Sequence, residues 1–142
     1  MVVLPPRLFQ FLHQGAQGLL VTVGADGWPH VAFSWIGSPE PTRVRVIADE
    51  GSATLTNLTA NPIAAAQVIG PDNLLYLVKG MASVSRGERK MPEGLKVVLA
   101  ELAVREVKDQ SWSPVEVAPL RYLWREPYMI EVERAVFRIL TT

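Results

Sequence analysis

The chain has 142 residues and is 49% hydrophobic, which is enough for one domain with its own core. Its 14 basic and 14 acidic residues balance, so no net charge attracts nucleic acid or an anionic membrane. It has no cysteine, which excludes disulfides and thiolate chemistry, and no apolar run reaches the ~20 residues of a membrane helix.

The N-terminal part is typical of short strands joined by tight turns. A short helix between Pro5 and Gly15 comes first. We predict five strands, over residues 18–24, 28–36, 43–48, 63–69 and 74–85. Asp26-Gly27 supplies the first hairpin turn, and a helix from about Ser52 to Ala60 ends before Pro62.

The C-terminal part contains one strong periodic pattern. Leu95, Val98 and Leu102 share a helical stripe, and Glu101 stands four residues before Arg105, so we predict a helix over residues 95–108. Apolar and polar residues alternate over residues 128–140, and the alternation shifts by one residue partway along. This pattern predicts a closing strand with a bulge. Six strands with few helices indicate a mainly β protein, a six-stranded antiparallel barrel with flanking helices, in a single domain over residues 1–142.

Several kinds of site are excluded or disfavoured. Neither a dinucleotide-binding fingerprint nor a P-loop is present. The chain has 2 histidines and no cysteine, so we expect no transition-metal site. We interpret His13 as a surface residue and His30 as a hydrogen-bonded structural residue. No serine has a plausible His and carboxylate context, and no residue is predicted as catalytic.

One group of residues indicates a phosphate and ring site. It lies where two neighbouring strands meet the start of the helix after Gly51. Its members are Phe33, Ser34, Trp35, Ile47, Ala48, Asp49, Ser52, Ala53 and Thr54. A purely structural interpretation stays open, in which Ser52 only caps the helix, Thr54 is solvated and Asn57 bonds the returning chain.

The order of these motifs resembles the FMN-binding split-barrel superfamily, the pyridoxamine 5'-phosphate oxidase-like proteins. The similar segments lie within about residues 8–86 and run through Leu20–Val23, Asp26–Val31, Ser34-Trp35, Ser52–Leu58, Asn61-Pro62 and Val78–Ala82. The resemblance implies a homodimer with FMN in grooves at the interface. Ser34 and Trp35 would contact the flavin, and Ser52, Ala53 and Thr54 the phosphate. Trp112 or Trp124 would either reach a flavin from the partner chain or pack in the interface or core.

The resemblance implies an FMN-dependent oxidoreductase with an unknown small-molecule substrate. Since the sequence shows neither a membrane span nor a signal peptide, we expect a cytoplasmic protein. Two alternatives remain: a non-enzymatic FMN carrier or storage protein, and a split barrel that lost its cofactor and acts as a dimeric binding module. Many members of the superfamily have Ser-Arg-Lys where this chain has Ser52-Ala53-Thr54. A cation for the phosphate would then come from Arg43, Arg45, Lys79 or the partner chain.

Overall fold

The computed structural model describes residues 1–85 and 89–142. The three helices are α1 (Pro6–Leu12), α2 (Ala53–Ala60) and α3 (Tyr128–Thr141), with a short 3-10 turn at Pro92–Gly94. The strands are β1 (Ala16–Val23), β2 (Pro29–Glu40), β3 (Arg43–Asp49), β4 (Ile63–Gly70), β5 (Leu74–Val84), β6 (Arg89–Lys90) and β7 (Lys96–Asp109). No helix in the described part of the chain is long and apolar enough to span a membrane.

The six long strands form a closed antiparallel barrel. They are hydrogen-bonded in the order β3-β2-β1-β4-β5-β7, and β3 pairs with β7 to close the ring. The predicted mainly β barrel with flanking helices is therefore confirmed. Its core contains Leu20, Ile36, Val46 and Leu102, each with no exposed surface. The prediction of a single domain remains a prediction, and Arg86, the last residue of the predicted barrel segment, lies outside the described residues.

The helix predicted over residues 95–108 is wrong, because this segment is strand β7. Leu102 and Val104 point into the barrel, whereas Val97 and Leu99 lie on the outer face under α3. Since both faces are buried, the first half of the strand is a continuous apolar run, and its two-residue alternation is hidden. Glu101 pairs across strands with Arg43 and Arg45 and not with Arg105.

The strand predicted over residues 128–140 is also wrong, because these residues form α3. Val132, Val136 and Leu140 are fully buried at four-residue spacing. The apparent phase change of a strand is the 3.6-residue period of an amphipathic helix. This helix covers Trp35, Ile47 and Leu99 and forms a second core on the outside of the barrel.

Candidate functional site

The site lies where β2 and β3 separate. Their ladder runs from the Glu40–Arg43 pair to the Ile36–Val46 pair and goes no further. Beyond that point β2 pairs with β1 alone and β3 with β7 alone. The Ser34 hydroxyl lies 3.2 Å from the Ile47 carbonyl oxygen and donates to it across the fork. The two strand edges below this bond leave a cleft in the barrel wall.

A cavity of about 550 Å³ occupies this cleft. All nine residues predicted from the sequence line it: Phe33, Ser34, Trp35, Ile47, Ala48, Asp49, Ser52, Ala53 and Thr54. Six further residues complete the lining, namely His30, Ala32, Leu95, Tyr122, Trp124 and Met129. The volume lies within the ~300–1,000 Å³ of small-molecule sites. The structure thus brings the predicted group together in one place.

The first turn of α2 forms the polar end of the cavity. The Ser52 hydroxyl accepts a hydrogen bond from the Leu55 N–H at 3.1 Å, so the predicted capping role is confirmed. Thr54 is 6% exposed, so the interpretation of a solvated Thr54 is wrong. The N–H groups of Ala53 and Thr54, which both line the cavity, precede the first intrahelical bond and lie at the positive end of the helix dipole, as in any helix.

Asn57, in the second turn of α2, connects the helix to the barrel interior. Its side-chain amide donates to the Thr22 hydroxyl at 3.1 Å and not to the returning chain. Thr22 is fully buried and stands opposite His30 in the β1–β2 ladder. Helix α2 therefore lies close to the inner face of β2 at His30.

His30 differs from the sequence interpretation. We expected a hydrogen-bonded structural histidine, but its buried Nδ1 atom has no hydrogen-bond partner. Buried polar atoms without partners are uncommon in native proteins, and a bound ligand or water is one explanation for them. His30 is also the only basic side chain that lines the cavity in the described part of the chain.

The three predicted cations do not line the cavity. Arg43 and Arg45 are each 3.0 Å from a Glu101 carboxylate oxygen on the outer face of the barrel. Lys79 pairs with Glu106 at 3.3 Å on β5. Apart from His30, the described lining of the cavity therefore offers neutral donors to an anion, with Asp49 as an acidic residue.

Aromatic side chains form the apolar end. The ring centres of Trp35 on β2 and Trp124 lie 5.7 Å apart. The ring of Tyr122 makes edge contacts with those of Trp124 and Phe33, with ring centres 5.0 Å and 5.5 Å apart. Trp124 thus belongs to the wall of its own chain's cavity, whereas Trp112 is 67% exposed and lies outside it.

Glu133 on α3 holds this wall in place. Its Oε2 atom accepts hydrogen bonds from Trp35 Nε1 at 2.8 Å, Gln17 Nε2 at 2.8 Å and Trp124 Nε1 at 3.1 Å. Gln17 Oε1 in turn accepts the Tyr122 N–H at 2.8 Å. Sequence reasoning missed Tyr122 and Glu133, because the segment before α3 has no periodic pattern and α3 was interpreted as a strand. The Tyr122-x-Trp124 alternation was the one available signal.

Residues 4–117 match the sequence profile of the pyridoxamine 5'-phosphate oxidase family. No curated protein matches the sequence significantly. Among solved structures, an F420 reductase is 20% identical, with a TM-score of 0.59 over 71% of this chain and 95% of the other.

Two bacterial structures are similar to a comparable extent. HupZ of Group A Streptococcus is 12% identical, with a TM-score of 0.63 over 76% of this chain and 94% of its own. General Stress Protein 26 of Bacillus anthracis is 21% identical, with a TM-score of 0.53 over 71% and 89%. At these identities the likeness shows the fold alone.

Proposed function

Because the chain belongs to the pyridoxamine 5'-phosphate oxidase family, we propose that the cavity between β2 and β3 binds FMN and that the protein is a flavin-dependent oxidoreductase. This superfamily is flavin-binding and oxidoreductase-like. One observation carries the proposal: the nine residues predicted from the sequence, including the five that the resemblance assigns to the flavin and the phosphate, line a single cavity of about 550 Å³.

The residues fit the two ends of such a cofactor. Trp35 and Ala32 would lie along its ring system, which needs an apolar, flat environment. Ser52, Ala53 and Thr54 would hold its phosphate through hydroxyls and N–H groups at the start of α2. When bound, the flavin supplies hydride and electron transfer, and the chain's own residues bind it, orient it and exclude water.

The phosphate end lacks the charge-assisted bonds of an Arg or Lys in the described part of the chain. A neutral set of donors at a helix start still favours an anion, but each such bond is weaker than a charged one. We therefore expect weak FMN binding, with the phosphate contributing less than the ring.

An apolar outer sheet face supports the homodimer. Val31 is 56% exposed, Phe33 65% and Ile63 56%. They lie on β2 and β4, the two strands that flank β1, since Val31 on β2 pairs with Val21 on β1 and Val21 pairs with Ala65 on β4. A contiguous exposed apolar face is typical of a protein interface. Since Phe33 also lines the cavity, a second copy on this face would adjoin the FMN site.

The experiment compares FMN with riboflavin, which lacks the phosphate, on variants of Ala53. This residue is exposed and lines the cavity. Ala53→Lys should tighten FMN binding about tenfold and Ala53→Glu should weaken it about tenfold, because one charge-assisted bond is gained or one repulsion added. Riboflavin affinity should stay unchanged. Absorbance and fluorescence titrations measure both.

The matched controls are Thr59→Lys and Thr59→Glu, which place the same charges at an exposed position near the other end of α2. Helix stability cannot explain the expected result, since an acidic residue at a helix start stabilises it and a basic one does not. A parent protein that binds neither FMN nor riboflavin would refute the proposal.

A cofactor-free dimeric binding module is the second candidate, and the absence of Lys and Arg from the described cavity lining favours it. It predicts that neither Ala53 variant binds FMN. If FMN binds but no nicotinamide donor reduces it, the protein is instead an FMN carrier.

A further inference from the structure

The aromatic wall of the cavity, formed by Trp35, Tyr122 and Trp124, has an unusual electrostatic environment. Both indole N–H groups are bonded to one oxygen of Glu133 and do not donate into the cavity. The wall therefore offers ring faces and edges to a ligand. Aromatic faces carry negative partial charge and attract electron-poor or cationic groups.

The Glu133 carboxylate behind this wall has no ion-pair partner among the described residues. Its three bonds come from neutral donors on Gln17, Trp35 and Trp124. The neighbouring basic residues of α3 and β3 are engaged elsewhere: Arg134 pairs with Glu131 at 2.8 Å, and Arg45 pairs with Glu101. Arg121 borders the groove on the outer side of Glu133 but is exposed to solvent.

The negative charge of Glu133 affects the pKa of a residue in the wall. Burial and the Glu133 carboxylate raise the pKa of the Tyr122 hydroxyl above its ordinary value. Asp49 adds a second acidic group at the edge of the same cavity. Glu133 behind the wall and Asp49 in the lining are both acidic, and the described lining contains no Lys or Arg. This arrangement disfavours an anionic ring and favours a cationic one.

We propose that Trp35, Tyr122 and Trp124 form a binding site for a planar cationic nitrogen heterocycle, such as a pyridinium ring, and that Glu133 sets the preference of this wall for positive over negative charge. This inference deepens the proposed function, because it rests on the same cavity. It adds three residues of the C-terminal region, Tyr122, Trp124 and Glu133, to the ring end of the site.

The test uses three pyridines of nearly equal size and different charge: 1-methylnicotinamide (cationic), nicotinamide (neutral) and nicotinate (anionic). The chain has 4 Trp. Trp28 and Trp112 are 74% and 67% exposed, and their replacement by Phe in the full chain leaves only the two tryptophans of the wall. Quenching of their emission then reports binding at this wall.

We expect saturable quenching in the order cation, neutral, anion, with about tenfold between the cation and the anion. Glu133→Gln should reduce that ratio to about twofold, and Glu133→Asp should restore part of it. The matched control is Glu131→Gln, on the same helix but exposed and paired with Arg134. It should leave the ratio unchanged.

Equal quenching by the three pyridines, or none, overturns the inference, and this result needs no Glu133 variant to fold. A ratio that is the same in Glu133→Gln and Glu131→Gln also overturns it. FMN and riboflavin titrations on the same protein separate the two proposals. If neither flavin binds while the pyridines follow the charge order, the proposed function fails and this inference stands. If flavins bind but the pyridines show no charge order, this inference fails and the proposed function stands.

Discussion

The indole N–H of Trp35 donates to the Glu133 carboxylate over 2.8 Å, and this bond joins the middle of β2 to the middle of α3. Trp35 is 7% exposed and lines the cavity, whereas Glu133 faces a second groove beneath residues 119–124. The packing of α3 on the barrel and the shape of the cavity therefore depend on the same contact.

Replacing Glu133 by leucine should destabilise the protein by about 3 kcal/mol, because three partly buried N–H donors lose their acceptor. Glu133→Gln keeps one amide oxygen as an acceptor and should cost about 1 kcal/mol. Urea unfolding followed by circular dichroism measures both values. Glu131→Leu is the control, since its pair with Arg134 is exposed. An equal loss in both leucine variants would contradict a special role for Glu133.

Glu101 should make stability sensitive to acid. Burial raises the pKa of this carboxyl, but the hydrogen bonds and charges of Arg45 and Arg43 outweigh burial and hold it below the ordinary value. A carboxyl with a lowered pKa in the folded state stabilises the fold above its unfolded pKa, and this contribution is lost as pH falls through the folded pKa.

Glu101→Gln should therefore cost about 1 kcal/mol at pH 7. Its stability should approach that of the parent protein as pH falls below 4.5, the ordinary pKa of this carboxyl in the unfolded chain. Thermal unfolding across this range measures the difference. Glu106→Gln is the control, because the Lys79–Glu106 pair is about half exposed and should contribute little at any pH. A constant difference between Glu101→Gln and the parent at all pH values would contradict the argument.

Strand β1 buries one face and could be predicted from sequence, whereas β7 buries both faces and could not. In β1 the burial alternates strictly, and the strand was found within two residues of its bounds. Strand β7 is covered inside by the barrel core and outside by α3, so its Val97–Ala100 run carries no strand period. Helix α3 was misread for a related reason: a short amphipathic helix and a kinked strand have similar apolar patterns over ten residues.

The site residues also divide into those that the sequence could predict and those that it could not. Ser34, Ile47 and Thr54 were found because each stands on a well-predicted element near the fork between β2 and β3. Tyr122 and Trp124 belong to an irregular segment, and hydrogen bonds to Gln17 and Glu133 fix their positions. Tyr122 and Gln17 are 105 residues apart in the sequence. Contacts at that separation depend on tertiary structure that no local pattern specifies.

Gly37 on β2 should be required for the packing of α3. A Cβ atom at this position would lie 2.6 Å from Leu140 Cβ and 3.2 Å from the Leu140 carbonyl carbon. Gly37→Ala should cost about 1–3 kcal/mol, because the helix backbone must move away from the barrel. Gly70→Ala is the control, since its Cβ would meet only the outer end of the Phe11 ring at 3.0 Å. Thermal unfolding and near-ultraviolet circular dichroism of the tryptophans measure the two effects.

The exposed sheet face should control the oligomeric state. Val31→Lys and Ile63→Lys each place a charge on this face, at positions 56% exposed in one chain and outside the cavity lining. A charge buried without a partner in an interface is strongly unfavourable, so both variants should shift the protein from dimer to monomer. Sedimentation velocity measures the shift, and unfolding experiments confirm that each monomer remains folded. Trp112→Lys is the matched control, because Trp112 is exposed and belongs to the irregular segment after β7, not to β2 or β4. If the parent sediments as a monomer, or if Val31→Lys remains dimeric, the face is not the interface between two copies.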